Sequence, residues 1–243
     1  MIFKYFNLLI FFKKIINTFL TPRWGGVYAS YNKNFAKNLK NKKLFWLFSK
    51  FWFLPYDLSV RYWHNADINS LHYFKHYLSL DFKSKFLIKT IKKYSPSKNI
   101  KILDLGCNVG RHLNSLKKSG YNNIYGVDIG KIPIKKSKKI FLNLKKINMK
   151  CSSFENYIYK TKNNFFNLIY THGATIEMVK PTFPLVFQLS RILSSSGYLI
   201  LLINESGHAY PRFWRYEFKK HNLKLIFCKN TFDSQTLIVL RKQ

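Results

Sequence analysis

Apolar and polar positions along this chain follow two different rhythms, and the change comes near residue 100. Before it, apolar and aromatic residues gather in clusters of helical length. Residues 1–20 (MIFKYFNLLIFFKKIINTFL) place Lys4, Asn7, Lys14 and Asn17 near one side of a helical wheel, which leaves a broad apolar face and describes an amphipathic helix. In residues 39–54, basic residues lead into a dense aromatic run that stops at Pro55. From 71 to 94 the pattern is again helical and ends at the turn SPSKN. Beyond residue 100, short apolar runs alternate with basic helical stretches. The runs predict strands at 101–105, 124–128, 149–152, 166–171, 198–204, 223–228 and 236–240. Helical patterns separate the first five, as βαβ units of a parallel sheet require, whereas a short link containing Asp233 and Ser234 joins the last two. The expected architecture is α/β: a seven-stranded, mostly parallel sheet with a closing antiparallel hairpin over 71–243, preceded by a helical, aromatic-rich extension over 1–70.

Composition changes this picture in two places. Four of the five tryptophans (Trp24, Trp46, Trp52 and Trp63) fall in the first quarter, beside lysines. Such a stretch suits a membrane interface, where an apolar body and a polar edge are both satisfied. It equally suits a cap with its aromatics buried, and apolar faces are more often core than membrane. Residues 1–20 and 39–54 are thus the segments for peripheral membrane contact, if there is any. The uncharged stretch 5–12 is far shorter than the roughly 20 residues that span a bilayer, and no small-residue cleavage site follows it.

The second place is charge. Lys and Arg number 42 against ten Asp and Glu, a formal +32. A+T-rich codons account for part of the lysine load but not for the scarcity of acids. The excess favours anionic surroundings, nucleic acid among them, and is silent about fold. Against an RNA-binding appendage, the N-terminal region is aromatic and apolar rather than a basic stripe. The three cysteines are scattered with no C-x-x-C, which suggests neither a disulfide framework nor a cysteine zinc site and fits a cytoplasmic setting. His72 and His76 stand at i and i+4, a metal-binding spacing, but no neighbouring ligands complete a shell. No metal is expected.

The chemistry concentrates in KILDLGCNVGRHLNSLKKSGYNNIYGVDIG. Ile102, Leu103 and Leu105 form a buried strand with Asp104 near its carboxyl end. Gly106 and Gly110 bracket a tight loop that opens a helix, and Gly120 stops that helix. Glycines let backbone approach a ligand, and a helix N-terminus offers unpaired N–H groups to an anion. The next strand delivers Asp128 about 20 residues beyond the loop, where a carboxylate can accept from ribose hydroxyls. The dinucleotide fingerprint G-x-G-x-x-G fails here, since Asn108 and Arg111 occupy its second and third glycine positions.

The run Asp104-Leu105-Gly106-Cys107-Asn108-Val109-Gly110 instead resembles the first motif of class I S-adenosylmethionine-dependent methyltransferases. Asp128 resembles the acidic residue closing that family's second strand. FFNLIYTHG is similar to its fourth-strand segment, and RILSSSGYLILL to the turn into its fifth strand. The likeness covers about 100–241. It implies a Rossmann-like domain with S-adenosyl-L-methionine as cofactor. The loop at Gly106, Cys107, Asn108 and Gly110 would hold the methionine portion. Asp128 would take the ribose, Ser153 and Phe154 would lie near the adenine, and Asp104, Ile129 and Thr171 would line the same site. Asn167 departs from the family's usual Asp, and Ser152–Ser153 stand where an acidic residue often contacts adenine. A generic nucleotide-binding domain without catalysis is the competing reading of the fold alone.

Methyl transfer requires mainly alignment, with a base only when the acceptor must lose a proton. His172, expected just after the fourth strand, is the candidate base, with a loop-holding histidine as the alternative. Glu205, His208, Tyr210 and Arg212 follow the fifth strand on the same sheet edge and are candidates to position substrate. The Asn-Pro-Pro-aromatic run of amino-group methylators of DNA and protein is absent, as is the Pro-Cys pair of cytosine-C5 enzymes. GHAYPRFWRYEF is faintly similar to methyltransferases of surface-polysaccharide clusters. The expected reaction is transfer to oxygen or nitrogen of a small or carbohydrate-like acceptor, with RNA or a lipid-linked acceptor as alternatives.

Overall fold

The computed structural model describes residues 78–173, 179, 183–204, 214–231 and 235–243. The amphipathic and aromatic segments at 1–20 and 39–54, and the pair His72 and His76, lie outside the described residues. So do the substrate candidates Glu205, His208, Tyr210 and Arg212. The helix expected over 71–94 is described as α1 (Asp81–Tyr94). Leu78 is still helical, and the pattern breaks at Ser79 and Leu80; Leu80, the N-cap residue of α1, has the non-helical angles φ −91° and ψ 47°.

All seven expected strands form, in register with the apolar runs. They are β1 (Ile102–Leu105), β2 (Ile124–Asp128), β3 (Asn148–Cys151), β4 (Phe166–His172), β5 (Leu193–Asn204), β6 (Leu223–Asn230) and β7 (Gln235–Lys242). The sheet order is β3-β2-β1-β4-β5-β7-β6. β1 to β5 run parallel, and β7 enters antiparallel between β5 and β6. Crossovers are α2 (Arg111–Lys118), α3 (Lys131–Ile140), α4 (Phe154–Lys160) and α5 (Leu185–Ile192), and α6 (Trp214–Lys220) precedes β6. β5 begins earlier than its apolar run, at Leu193. Its pairing with β4 jumps from Phe166↔Leu193 to Leu168↔Tyr198, so SSSG loops out as a bulge with Ser196 at φ 59°.

The pleat alternates side chains between two cores. Leu103, Leu105, Val127 and Ile169 join Phe154, Ile158, Leu185 and Leu189 of α4 and α5 on one face. Ile102, Leu168 and Tyr170 meet Leu87, Ile91, Leu113 and Leu116 of α1 and α2 on the other. By the same alternation Asp104, between two residues of the first core, points to the α1–α2 face. α2 ends in a Schellman motif, in which Tyr121 N donates to Leu116 O and Gly120 N to Lys117 O, with Gly120 at φ +88°. The strand order reverses between β1 and β4. Open α/β sheets bind ligands at the carboxyl ends of strands beside such a reversal.

Candidate active site

Every backbone N–H of the loop from β1 to α2 has a partner within the protein. Gly106 N and Cys107 N both donate to Val127 O, at 2.9 and 3.1 Å, which draws the chain along β2. Gly106, Asn108 and Gly110 have φ of 90°, 47° and 84°. Asparagine tolerates that left-handed region because its short amide bonds locally. Here Asn108 Oδ1 accepts from Val109 N at 2.8 Å. At Gly110 a Cβ would stand 2.6 Å from Leu144 Cδ1, so the position excludes side chains on space as well as on conformation.

The predicted cofactor residues separate into those whose side chains face the site and those that serve through backbone. Cys107 Sγ turns inward, buried among Leu113 and Ile124, and burial pushes its thiol well above the ordinary range. A Cβ on Gly126 would come within 2.9 Å of that sulfur, so small residues at both positions close the β2–α2 contact. Phe154 likewise packs into the α4–α5 core, and Ser153 caps α4, its Oγ accepting from Asn156 N at 3.3 Å. Ile129 is partly buried against the α4–α5 core.

Asp128 has a structural role that its spacing did not reveal. Its Oδ2 accepts from Asn108 N at 2.8 Å and its Oδ1 from Gly130 N at 2.7 Å. The carboxylate therefore ties the loop to the β2 terminus, and each oxygen keeps a lone pair for a further donor. Burial pushes its carboxyl above the ordinary carboxylate range, and the backbone N–H groups of Gly130, Asn108 and Ile129 oppose the rise.

Asp104 is the unusual group. It is fully buried, and neither carboxylate oxygen has a hydrogen-bond partner among the described residues. Burial pushes it up to about 8. The Tyr170 hydroxyl tempers the rise from outside hydrogen-bond geometry; Asp128 adds to it and Arg111 lowers it. The buried Tyr170 hydroxyl and Thr171 Oγ1 are also without a partner there. Orphaned polar atoms this deep are costly and mark a place where a ligand completes the bonding.

His172 is the last residue of β4 rather than the first beyond it. Its Nδ1 lies 3.1 Å from His112 Nε2, and its Nε2 lies 3.0 Å from Gln235 Oε1. His112 in turn meets Arg111 Nη2 at 3.1 Å and, through Nδ1, Ser84 Oγ at 3.0 Å. Sequence reading missed His112, Ser84 and Gln235. They stand 60, 88 and 63 positions from His172, on α2, α1 and β7, and no spacing signals that meeting. Asn167, the departure from the usual Asp, uses both ends of its amide. Oδ1 accepts from Lys101 N at 2.9 Å and Nδ2 donates to Ser194 Oγ at 3.3 Å, pinning the β1 entry to the β5 bulge.

Sheet order, left-handed loop and paired acids at the ends of β1 and β2 define the class: a Rossmann-like α/β methyltransferase domain of class I. The family description is specific. The sequence model of the methyltransferase domain family matches residues 74–242, and the chain belongs to that family. Its cofactor, S-adenosyl-L-methionine, carries an ammonium, a carboxylate, a ribose diol and an adenine. The residues fit it, because neither oxygen of Asp104 has a hydrogen-bond partner among the described residues and Asp128 has acceptor capacity left.

No curated protein matches the chain by sequence. Solved structures are similar in fold. Geranyl diphosphate C-methyltransferase from Streptomyces coelicolor A3(2), solved with Mg2+, geranyl diphosphate and S-adenosyl-L-homocysteine, is 10% identical, with TM-score 0.59 over 78% of this chain and 98% of its own. A TehB-like SAM-dependent methyltransferase from Corynebacterium glutamicum is 19% identical, with TM-score 0.52 over 66% of this chain and 86% of its own. A SAM-dependent methyltransferase from Aquifex aeolicus is 14% identical, with TM-score 0.51 over 64% and 88%.

Among the described residues no group of His, Cys, Asp and Glu could hold a metal, and no helix is long and apolar enough to cross a membrane.

Proposed function

We propose that this methyltransferase transfers its methyl group to an oxygen or nitrogen of a small or carbohydrate-like acceptor, and that His172 takes the proton the acceptor releases. When bound, the cofactor supplies an activated methyl group on a sulfonium. The chain's own residues supply the rest. Asp104 would hold the ammonium and the first turn of α2 the carboxylate, since the loop's own N–H groups are engaged. Asp128 would hold the ribose. His172 Nε2 would take up the proton that the acceptor loses on methylation. The observation that carries this reading is the His172 ring itself, held at the carboxyl edge of β4 beside the strand reversal by a partner on each ring nitrogen.

The experiment is release of S-adenosyl-L-homocysteine with a panel of methyl glycosides, phenols and primary amines. Turnover on at least one is expected, and His172→Gln lowers kcat about 10²-fold, the lower end of general-base effects. A protein that binds the cofactor yet methylates none of them refutes the acceptor class.

One observation favours the RNA alternative. A groove of about 500 Å³ beside α4 is lined by Lys150, Lys160 and Lys162 together with Tyr125, Tyr157 and Phe165. Lysines beside aromatic rings suit a phosphate backbone with stacked bases. RNA binding that survives high salt and selects among sites supports this second reading over the first.

A further inference from the structure

The meeting of His112 and His172 has a geometry that fixes protons, and it rests on the proposed base role only for its use. The ring centroids are 5.3 Å apart and the planes are tilted by 29°. With nitrogens 3.1 Å apart, that separation is about the N···N distance plus one ring radius on each side. The rings therefore meet edge to edge and share a hydrogen bond rather than a face.

Donor counting then assigns the atoms. Arginine can only donate. His112 Nε2, facing Arg111 Nη2, is consequently an acceptor, so the His112 proton sits on Nδ1 and points to Ser84 Oγ. The same Nε2 lone pair faces His172 Nδ1, which must then carry a hydrogen. Only His172 Nε2 is left to change state. With Gln235 Oε1 toward it, the arrangement suits an imidazolium donating to the amide oxygen. In the neutral ring the Nε2 lone pair faces an amide oxygen that offers it no hydrogen, so the Gln235 amide must turn aside for the acceptor's proton to reach Nε2. His112 has no such freedom, because a second proton would point at a guanidinium.

We infer that His112, backed by Arg111 and Ser84, is a positioning residue that locks His172 with hydrogen on Nδ1, leaving His172 Nε2 as the one site of the pair that gains and loses a proton, with the Gln235 amide turning aside. The surroundings agree. Burial first, then the charges of Arg111, His172 and Lys83, hold His112 well below the ordinary histidine range. Other titratable groups described on this face include Asp104, near the end of β1, Cys107 and Tyr121, buried in the same core, and Tyr170, two residues before His172 and edge-on to the His112 ring at 6.3 Å. Leu202 of β5, opposite His172, is apolar.

The test needs neither acceptor nor turnover. The full chain labelled with 15N-histidine is titrated by long-range 1H–15N NMR, and the seven histidines are assigned through His112→Gln and His172→Gln. The expected result is that His172 shows a protonated-type nitrogen at Nδ1 throughout and a titrating Nε2, while His112 stays neutral with hydrogen on Nδ1. In His112→Gln, whose amide oxygen still accepts from both Arg111 and His172, the His172 tautomer persists. In His112→Phe it is lost, and neutral His172 takes up the Nε2–H form. Calorimetric binding of S-adenosyl-L-homocysteine within about threefold of wild type checks that both variants are folded. An Nε2–H tautomer in the wild type, or His112 titrating before His172, overturns the inference. So does a His172 tautomer indifferent to His112→Phe. If the lock is found and His172→Gln leaves turnover on the acceptor panel unchanged, the proposed base role fails while the lock stands.

Discussion

Replacing Asp104 with Asn should make the unliganded protein more stable and worse at binding its cofactor. The carboxyl is fully buried without a hydrogen-bond partner among the described residues, and burial holds it at about 8 against an ordinary 3.8. A carboxyl raised in this way binds more protons folded than unfolded, so stability falls as pH rises from about 4 and levels off above about 8. The loss is roughly 1.4 kcal/mol per pH unit within that window, reaching about 4 kcal/mol at pH 7. The Asn amide is buried without a partner as the protonated acid is, so those two desolvation costs largely cancel and the ionisation part remains. We expect Asp104→Asn to gain about 2–4 kcal/mol at pH 7, a rise in Tm of roughly 5–15 °C for a domain of this size. The gain should vanish near pH 4. In the same variant, loss of a charge-assisted bond to the cofactor's ammonium should weaken binding by about 1.5–3 kcal/mol, roughly 10- to 150-fold. The assay is thermal unfolding at pH 4 to 8.5, paired with calorimetry using S-adenosyl-L-homocysteine. A variant with unchanged or lower Tm across that range would refute the buried-orphan argument. Unchanged affinity would show that the carboxyl is not aimed at the ligand.

Three further outcomes follow from the same geometry. Asp128→Ala strips acceptors from Asn108 N and Gly130 N as well as from the ribose, so cofactor affinity should fall by about 3 kcal/mol or more, with faster amide exchange in the loop; calorimetry and hydrogen exchange with no change in either would remove Asp128 from the site. Gly110→Ala forces a Cβ to 2.6 Å from Leu144 at φ +84°, and denaturant unfolding should show a loss of about 1–3 kcal/mol; a neutral result would mean the loop is not as tight as described. For the segments at 1–20 and 39–54, a membrane anchor predicts anionic-liposome binding that survives high salt and falls in Trp46→Ser, Trp52→Ser, because apolar insertion is not screened; no liposome binding at low salt leaves the buried cap.

Much of the fold is local information. Most strands are apolar runs bounded by turn residues, and the mostly exposed β3 is marked by its place between two helical stretches, so all seven were readable along the chain. The loop was readable for the same reason, since Gly106, Asn108 and Gly110 are the residue types that accept its left-handed angles. Asp104 and Asp128 were legible by their position at strand ends. Side-chain direction was not. Whether Cys107 and Phe154 face the ligand or the core depends on which helix lies across the sheet, and both turned out to be core. The orphaning of Asp104 depends on what packs over it, and the structural role of Asp128 on where the β1 loop passes. The His112–His172–Gln235 array belongs wholly to tertiary structure. It joins α2, β4 and β7, which become neighbours only when β4 lies beside β1 and β7 inserts beside β5. Hydrogen bonds act over about 3 Å, whereas the periodicity of a sequence reports only on neighbours along one element.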